Sequence, residues 1–221
     1  MIPIKDNIPS RKRPFITIAF IVINVVVFIY EMSLGRDVNT FISHFGMIPR
    51  NIVAGQGIHT LFTSMFLHGG FWHILGNMLY LWIFGDNVED AFGHFGFLAM
   101  YLVTGLAGSA AHILTAVGSK VPTIGASGAV SGILGAYFIL YPRAQVLALV
   151  PIFFFIRFMA LPAFIFLGFW FFLQLLYGAS SMGGGAGVAF FAHIGGFVVG
   201  VLLGLLVKNR IRRQGVRYEV C

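Results

Sequence analysis

The sequence predicts an all-α membrane protein that crosses the bilayer six times and keeps both termini in the cytoplasm. The first supporting observation is composition: 58% of the 221 residues are hydrophobic and only 10% are charged. The second is a mean hydropathy of +0.91. Soluble domains carry about 25% charged residues, so the composition excludes a soluble globular enzyme. It also excludes a disordered or nucleic-acid-binding chain, despite a pI near 9.9.

The third observation is the spacing of charged residues, which divide the chain into uncharged blocks. A helix needs about 20 apolar residues to cross the hydrocarbon core. The block that follows Arg157 is too long for one helix, and the glycine-rich run at 183–187 divides it in two. The six predicted spans are 15–32, 69–85, 93–116, 126–141, 158–177 and 188–207. The apolar segment Val146–Phe155 contains Pro151 and either lies at the interface or lengthens the fifth helix.

The placement of lysine and arginine predicts the orientation. With the N-terminus in the cytoplasm, every Lys and Arg except Arg36, Arg50 and Lys120 falls on the cytoplasmic side, as the positive-inside rule requires. The first span follows basic residues but lacks a convincing cleavage site, so we interpret it as an uncleaved anchor. The chain is then one membrane domain over 1–221, with a cytoplasmic segment 1–14, a core 15–207 and a basic tail 208–221.

Polar side chains inside the spans are the candidate functional residues, because such groups are costly at membrane depth. His68, His73 and Asn77 open the second span, Ser127 opens the fourth, and His193 opens the sixth. These three spans enter the membrane from the outside. His73, Asn77, Ser127 and His193 therefore lie roughly 5–12 Å below the outer surface, at 1.5 Å per residue.

Each candidate also has a purely structural interpretation. A lone serine in a membrane helix often bonds its own backbone, and small residues four apart allow helices to pack closely. Close packing of the fourth and sixth spans would itself bring Ser127 and His193 together. The small residues in question are Gly128, Gly132, Gly196, Gly200 and Gly204. His112 is assigned to packing or a local hydrogen bond, and His44, His59 and His94 to solvated loops.

These residue types suit acyl transfer. A serine hydroxyl becomes nucleophilic when a nearby histidine accepts its proton. All seven acidic residues are predicted in loops or tails, so a Ser–His dyad is expected rather than a triad. Asn77, His73 and the free N–H groups at the start of the fourth span are candidate oxyanion donors. No HExxH motif occurs and no acid shares this layer, so no metal site is expected.

At these residues the sequence resembles the rhomboid family of intramembrane serine proteases. Gly125-Ala126-Ser127-Gly128 matches the family's GxSG motif. His68, His73 and Asn77 match HxxxxHxxxN, and Ala192-His193 with Gly196 and Gly200 matches AHxxGxxxG. The three motifs follow one another in the family's order and spacing, and the resemblance covers all six spans.

The resemblance implies a six-helix bundle around a water-filled cavity open to the outside, and cleavage of single-span or polytopic membrane proteins without a cofactor. It makes Ser127 the nucleophile and His193 the base. Asn77, His73 and the Ser127 amide would form the oxyanion site, with His68, Gly125 and Gly128 in support. The loop near 178–187 would cap the cavity, and the fifth span would flank substrate entry. The expected location is the inner membrane of a prokaryote.

Two positions depart from the family pattern. Many members carry Trp-Arg where this chain has His59 and Thr60, and some carry a tyrosine beneath the histidine where this chain has Ser131. Two other classes of protein fit the sequence less well. A non-catalytic relative that binds membrane proteins would lack the serine or the histidine, and both are present. A transporter or proton relay predicts inverted repeats and midplane acids, and neither is found in the sequence.

Overall fold

The computed structural model describes residues 1–152, 155–181 and 188–213, and this part of the chain is mostly helical. The helices are α1 (Phe15–Ser33), α2 (Val38–Phe45), α3 (Pro49–Val53), α4 (Thr60–Thr63), α5 (Phe71–Phe92), α6 (His94–Thr115), α7 (Ser127–Leu140), α8 (Ala163–Ser181) and α9 (Phe190–Arg213). The strands are β1 (Ile2–Lys5), β2 (Gln145–Ile152) and β3 (Phe155–Pro162).

Four of the described helices, α1, α6, α8 and α9, are long and apolar enough to cross a membrane. The shorter α7 is apolar as well. Helix α5 has the length, but its last two turns carry Asp86, Glu89 and Asp90. A helix begins near the start of five predicted spans, and the predicted fifth span begins five residues before α8 does.

The all-α prediction is incomplete, because β1, β2 and β3 form an antiparallel sheet in that order. The pairing of β2 with β3 runs from Gln145 opposite Pro162 to Ile152 opposite Phe155. The described residues of the predicted segment Val146–Phe155 therefore lie in strands and do not lengthen the fifth helix. The segment's alternate residues Val146 and Ala148 are fully buried. Short apolar runs rich in β-branched and aromatic residues fit a buried strand as well as a helix, which is why the sequence alone left this open.

Glycine packing sets the distance between α7 and α9. A Cβ atom on Gly196 would overlap the carbonyl oxygen of Gly128, and one on Gly200 would overlap that of Gly132. A Cβ atom on Gly108 of α6 would lie 2.6 Å from the carbonyl oxygen of Ala192. Because only glycine fits at these places, the backbones of the three helices are in direct contact around Gly128 and Ala192.

Four acids contradict the prediction that every acid lies in a loop or tail, because Glu31 lies in α1 and Asp86, Glu89 and Asp90 lie in α5. Glu89 lies in α5 with 1% of its surface exposed, and its carboxylate accepts the N–H groups of Ile16 and Thr17 at 2.9 and 2.8 Å. It also accepts the Thr17 hydroxyl at 2.7 Å and lies 2.6 Å from His94 Nδ1. His94 is thus the first residue of α6 and a partner of a buried acid rather than a loop residue, although 38% of its side chain is exposed. Glu31, in α1, is the second buried acid, at 2% exposure.

Candidate active site

A cavity of about 1220 Å³ opens at the end of the bundle where α7 begins. Its lining includes Ser127, His193, His73 and Asn77, which three different helices contribute. The structure therefore brings together the four polar residues that the sequence placed in one layer. His112 of α6 lines the same cavity. Its Nδ1 is buried and has no hydrogen-bond partner among the described residues, so the predicted local bond is absent at that atom.

Ser127 is the first residue of α7, and its N–H points out of the helix end because no preceding carbonyl can accept it. Gly125, two residues earlier, has φ +126°, a conformation that favours glycine. A Cβ atom at Gly125 would lie 2.7 Å from His73 Nε2 and 3.7 Å from Ser127 Oγ. Glycine is therefore needed for backbone geometry and for space, and the His73 ring and the Ser127 hydroxyl face the same point.

The loop that leads into Ser127 is pinned by backbone hydrogen bonds to the segment between α1 and α5. Met47 and Thr123 exchange two N–H···O bonds of 3.1 and 2.8 Å. The Gly125 N–H donates to the Ser64 carbonyl at 2.9 Å. These bonds fix the backbone before the nucleophile without the Trp-Arg pair of related sequences. At that position Thr60 is 5% exposed, and its hydroxyl donates to the Gly57 carbonyl at 2.6 Å.

The hydrogen bond of His73 indicates which ring nitrogen carries the proton. The Gly69 N–H approaches His73 Nδ1 at 3.4 Å, so Nδ1 is the acceptor. In the neutral ring the proton is then on Nε2, the atom that faces Gly125 and Ser127. Asn77, one turn further along α5, donates one amide hydrogen to the His73 carbonyl at 3.2 Å. Its second amide hydrogen is available to the cavity that it lines.

His193 lies near the start of α9, directly after Ala192, whose carbonyl packs against Gly108. Its Nδ1 lies 2.8 Å from Gln174 Oε1 of α8. The Trp170 ring is 6.1 Å from the imidazole and tilted by 33°. Ser127 Oγ and His193 share no hydrogen bond in the described structure, although both line the cavity. In unliganded enzymes such bonds are often long and shorten when substrate binds.

His68 differs from its predicted position, because α5 begins at Phe71 and His68 lies in the preceding loop. It is 2% exposed, and its N–H donates to the Glu31 carboxylate oxygens at 3.2 and 3.3 Å. Both ring nitrogens lack a partner among the described residues. Burial, with a smaller contribution from His73, lowers the pKa of His68 to about 4. The neutral ring is therefore a packing group, and the main chain makes the contact with α1.

Gln174 is the site residue that sequence reasoning missed. A signal for it was present, because Gln174 is the only amide or charged side chain between Ala163 and Tyr177 in an otherwise apolar segment. Polar residues within a span are functional candidates for that reason. At the position where related proteins carry a tyrosine, the Ser131 hydroxyl donates to the Ser127 carbonyl at 2.6 Å. Residues 182–187 of the predicted capping loop lie outside the described residues.

Comparison with known proteins agrees with the motifs. A family model described as the Rhomboid domain matches residues 55–210. The mitochondrial rhomboid protein 1 of Saccharomyces cerevisiae is 29% identical over 188 residues, which is 80% of this chain and 49% of the relative. RHOMBOID-like protein 4 of Arabidopsis thaliana is 32% identical over 80% of this chain and 41% of the relative. The rhomboid protease GluP of Bacillus subtilis is 35% identical over 58% of this chain and 25% of that protein. The chain thus spans half or less of the length of these relatives.

Proposed function

The chain belongs to the rhomboid family, and we propose that it is an intramembrane serine endopeptidase that uses a Ser127–His193 dyad. Its substrates are single-span or polytopic membrane proteins, cut near the extracytoplasmic end of a transmembrane segment. The observation that carries the proposal is the shared cavity, which a serine, two histidines and an asparagine line from three helices. The relative GluP is named a rhomboid protease, and the present chain keeps both residues of the dyad.

The proposed reaction uses groups that line the cavity. His193 takes the hydroxyl proton of Ser127 while Oγ attacks the carbonyl carbon of the scissile peptide bond. The tetrahedral intermediate carries a negative oxygen, which can accept hydrogen bonds from the Ser127 N–H, His73 Nε2–H and the second Asn77 amide hydrogen. His193 then gives its proton to the leaving amine, and water hydrolyses the acyl-enzyme by the same steps in reverse order. No step needs a cofactor.

The proposed topology has six spans and both termini in the cytoplasm. Helices α5 and α7 count as the second and fourth spans, and the cavity then opens to the outside. The support is the arginine and lysine distribution, with most basic residues on the side opposite to Ser127. A multi-pass protein of a prokaryotic cell membrane fits this arrangement. An active alkaline phosphatase fused to the C-terminus, which needs export for activity, would contradict the topology.

The test of the dyad is activity of the purified chain in proteoliposomes on a single-span reporter. Ser127→Ala and His193→Ala are each expected to abolish cleavage, and the double variant is expected to be no worse, because the two groups act as a unit. A fluorophosphonate probe is expected to label the wild type and neither variant. The matched controls are Ser43→Ala and His44→Ala, two exposed residues of the outer segment that are expected to keep full activity.

Substantial turnover by Ser127→Ala would overturn the proposal. A wild type that binds the reporter but neither cleaves it nor takes up the probe would favour the non-catalytic alternative.

A further inference from the structure

We propose that Gln174 is a positioning residue that fixes the tautomer and orientation of His193, so that Nε2 is the basic nitrogen. The proposal rests on the proposed protease function. The contact itself is direct: Gln174 Oε1 lies 2.8 Å from His193 Nδ1, and Gln174 is 8% exposed. The two residues belong to different helices, so the bond ties the base on α9 to α8.

The amide of Gln174 can be oriented in only one way that satisfies both of its ends. Its Nε2 lies 3.5 Å from the carbonyl oxygen of Trp170, one turn earlier on α8. A carbonyl oxygen can only accept a hydrogen bond. With the nitrogen on that side, Oε1 faces the imidazole. Because Oε1 has no proton to give, Nδ1 must be the protonated ring nitrogen. The lone pair of the neutral ring is then on Nε2, where a general base needs it.

The ring is also held by aromatic neighbours. Trp170 lies 6.1 Å from the imidazole at 33°, and Phe190 lies 6.3 Å away at 86°. Trp170 and Gln174 are four residues apart on one helix, so α8 supplies both a ring contact and the hydrogen bond. Ser131 is not a substitute, since its hydroxyl is used on the Ser127 carbonyl. Within the described ranges, no carboxylate contacts His193.

A neutral amide suits this position better than a carboxylate. A carboxylate in the same buried place would need its own partners at membrane depth. The amide orients the ring without adding a charge to the resting enzyme. When His193 takes the Ser127 proton, the ring becomes an imidazolium, and its Nδ1–H···Oε1 bond becomes charge-assisted and stronger. The same bond thus stabilises the charge that forms during the reaction.

The experiment compares Gln174→Met, Gln174→Glu and the wild type as full chains in proteoliposomes. Methionine keeps the length and volume but offers no comparable acceptor. We expect kcat to fall about 10- to 100-fold with KM unchanged within about twofold, less than the roughly 10⁴-fold loss when a triad carboxylate becomes an amide. Leu175→Met on the same turn, where the side chain is 43% exposed, is the matched control and is expected to behave as wild type.

The pH profile of Gln174→Glu is a measurement that a purely structural role of Gln174 would leave unchanged. A carboxylate at position 174 favours the imidazolium, so the acidic limb of the kcat/KM profile of Gln174→Glu is expected to shift to higher pH. The third readout is independent of turnover: ¹⁵N NMR of histidine-labelled protein. His193 is expected to be the Nδ1–H tautomer in the wild type and a mixture of tautomers in Gln174→Met.

The outcomes separate this inference from the protease proposal. If the wild type is inactive and unlabelled by fluorophosphonate, the protease proposal fails, and the tautomer measurement still tests the Gln174 bond. If the wild type is active but Gln174→Met keeps its kcat and its His193 tautomer, the positioning role is wrong and the dyad stands. A loss of kcat that only follows a loss of melting temperature, with an unshifted profile in Gln174→Glu, also overturns it.

Discussion

The Glu89 cluster at one end of the helix bundle and the cavity at the other differ in how their polar side chains are partnered. At the sheet end, where the sheet packs and α1 begins, the Glu89 carboxylate accepts two N–H groups and one hydroxyl and contacts His94. At the cavity end, where α7 begins, the partly exposed Ser127 hydroxyl bonds to no described side chain, and His112 Nδ1 has no partner among the described residues. The Glu89 carboxylate therefore has its partners within the protein, whereas Ser127 and His112 Nδ1 lack them among the described residues, as does Asn87 Oδ1 at the sheet end.

This difference predicts that substitutions at the two ends change different quantities, the free energy of unfolding at one end and kcat at the other. A buried polar group with all its partners contributes to the free energy of folding, whereas an unpartnered one costs about 1–3 kcal/mol. Groups retained at such a cost are expected where a ligand or a reaction completes their hydrogen bonds. Changes at the sheet end should then act mainly on unfolding, and changes at the cavity end mainly on kcat.

The largest expected effect is at Glu89. Glu89→Ala leaves two N–H groups and the Thr17 hydroxyl without their acceptor, so we expect the free energy of unfolding in mixed detergent to fall by about 3 kcal/mol. The activity of the fraction that stays folded should be close to wild type, because Glu89 does not line the cavity. If the folded fraction of Glu89→Ala also lost kcat, the distinction between the two ends would be wrong.

The next effect is expected at the oxyanion candidates. Asn77→Ala and His73→Ala should each lower kcat about 10-fold, less than the 10²–10³ seen for a single soluble oxyanion donor, because three donors share the charge. KM should hardly change, since the interaction strengthens only in the transition state. Water in the cavity can satisfy the groups left behind, so the melting temperature should hold. Activity that falls only in step with melting temperature would make both residues structural.

A smaller effect is expected at Thr17. Thr17→Val keeps the shape of the side chain and removes one of the hydrogen bonds to Glu89, so the free energy of unfolding should fall by about 1 kcal/mol. The Thr17 N–H still donates to the carboxylate in this variant. Chemical unfolding of Thr17→Val, Glu89→Ala and the double variant measures the coupling. If the double variant loses the sum of the two single losses, the two side chains do not interact.

The four cavity residues were predictable because their motifs and their depth are both features of the sequence. Each is a polar residue a few positions from the start of an apolar span, and helices that enter from one side place such residues in one layer. The role of Gly125 was not predictable from spacing. Its positive φ and the nearness of His73 depend on the loop from Pro122 to Ala126, which the outer segment holds in place.

The contacts that cross between helices could not be predicted. Gln174 was missed because its partner lies on another helix, and the rotation of α8 about its axis cannot be read from a segment that is apolar apart from Gln174 itself. The β2–β3 pair was missed because a strand buried on one face and apolar on the other has no polar alternation. Glu31 and Glu89 were assigned to loops because charged residues were used as the ends of the spans, and the backbone N–H groups that they accept leave no trace in side-chain patterns.

The smallest effect is expected at His68, a motif histidine at the cavity end whose contact with α1 is made by its main chain. Phenylalanine matches the shape of the ring and keeps its edge contact with His73, 5.1 Å away. His68→Phe also removes two buried nitrogens that have no described partner. At pH 7.5 the free energy of unfolding should stay within about 1 kcal/mol of wild type or rise, provided that the N–H bond to Glu31 persists.

The stability of His68→Phe relative to wild type is expected to depend on pH. The pKa of folded His68 is about 4 because burial disfavours the charged ring, below its ordinary value of 6.5. The unfolded chain therefore takes up a proton between pH 6.5 and 4 that the folded chain does not, and this lowers wild-type stability across that window. His68→Phe lacks this loss, so its stability relative to wild type should rise as pH falls from 6.5 and stay constant above it. Unfolding measured at pH 7.5 and pH 5 tests this. A variant that is less stable than wild type at both values would mean that the imidazole itself holds the loop.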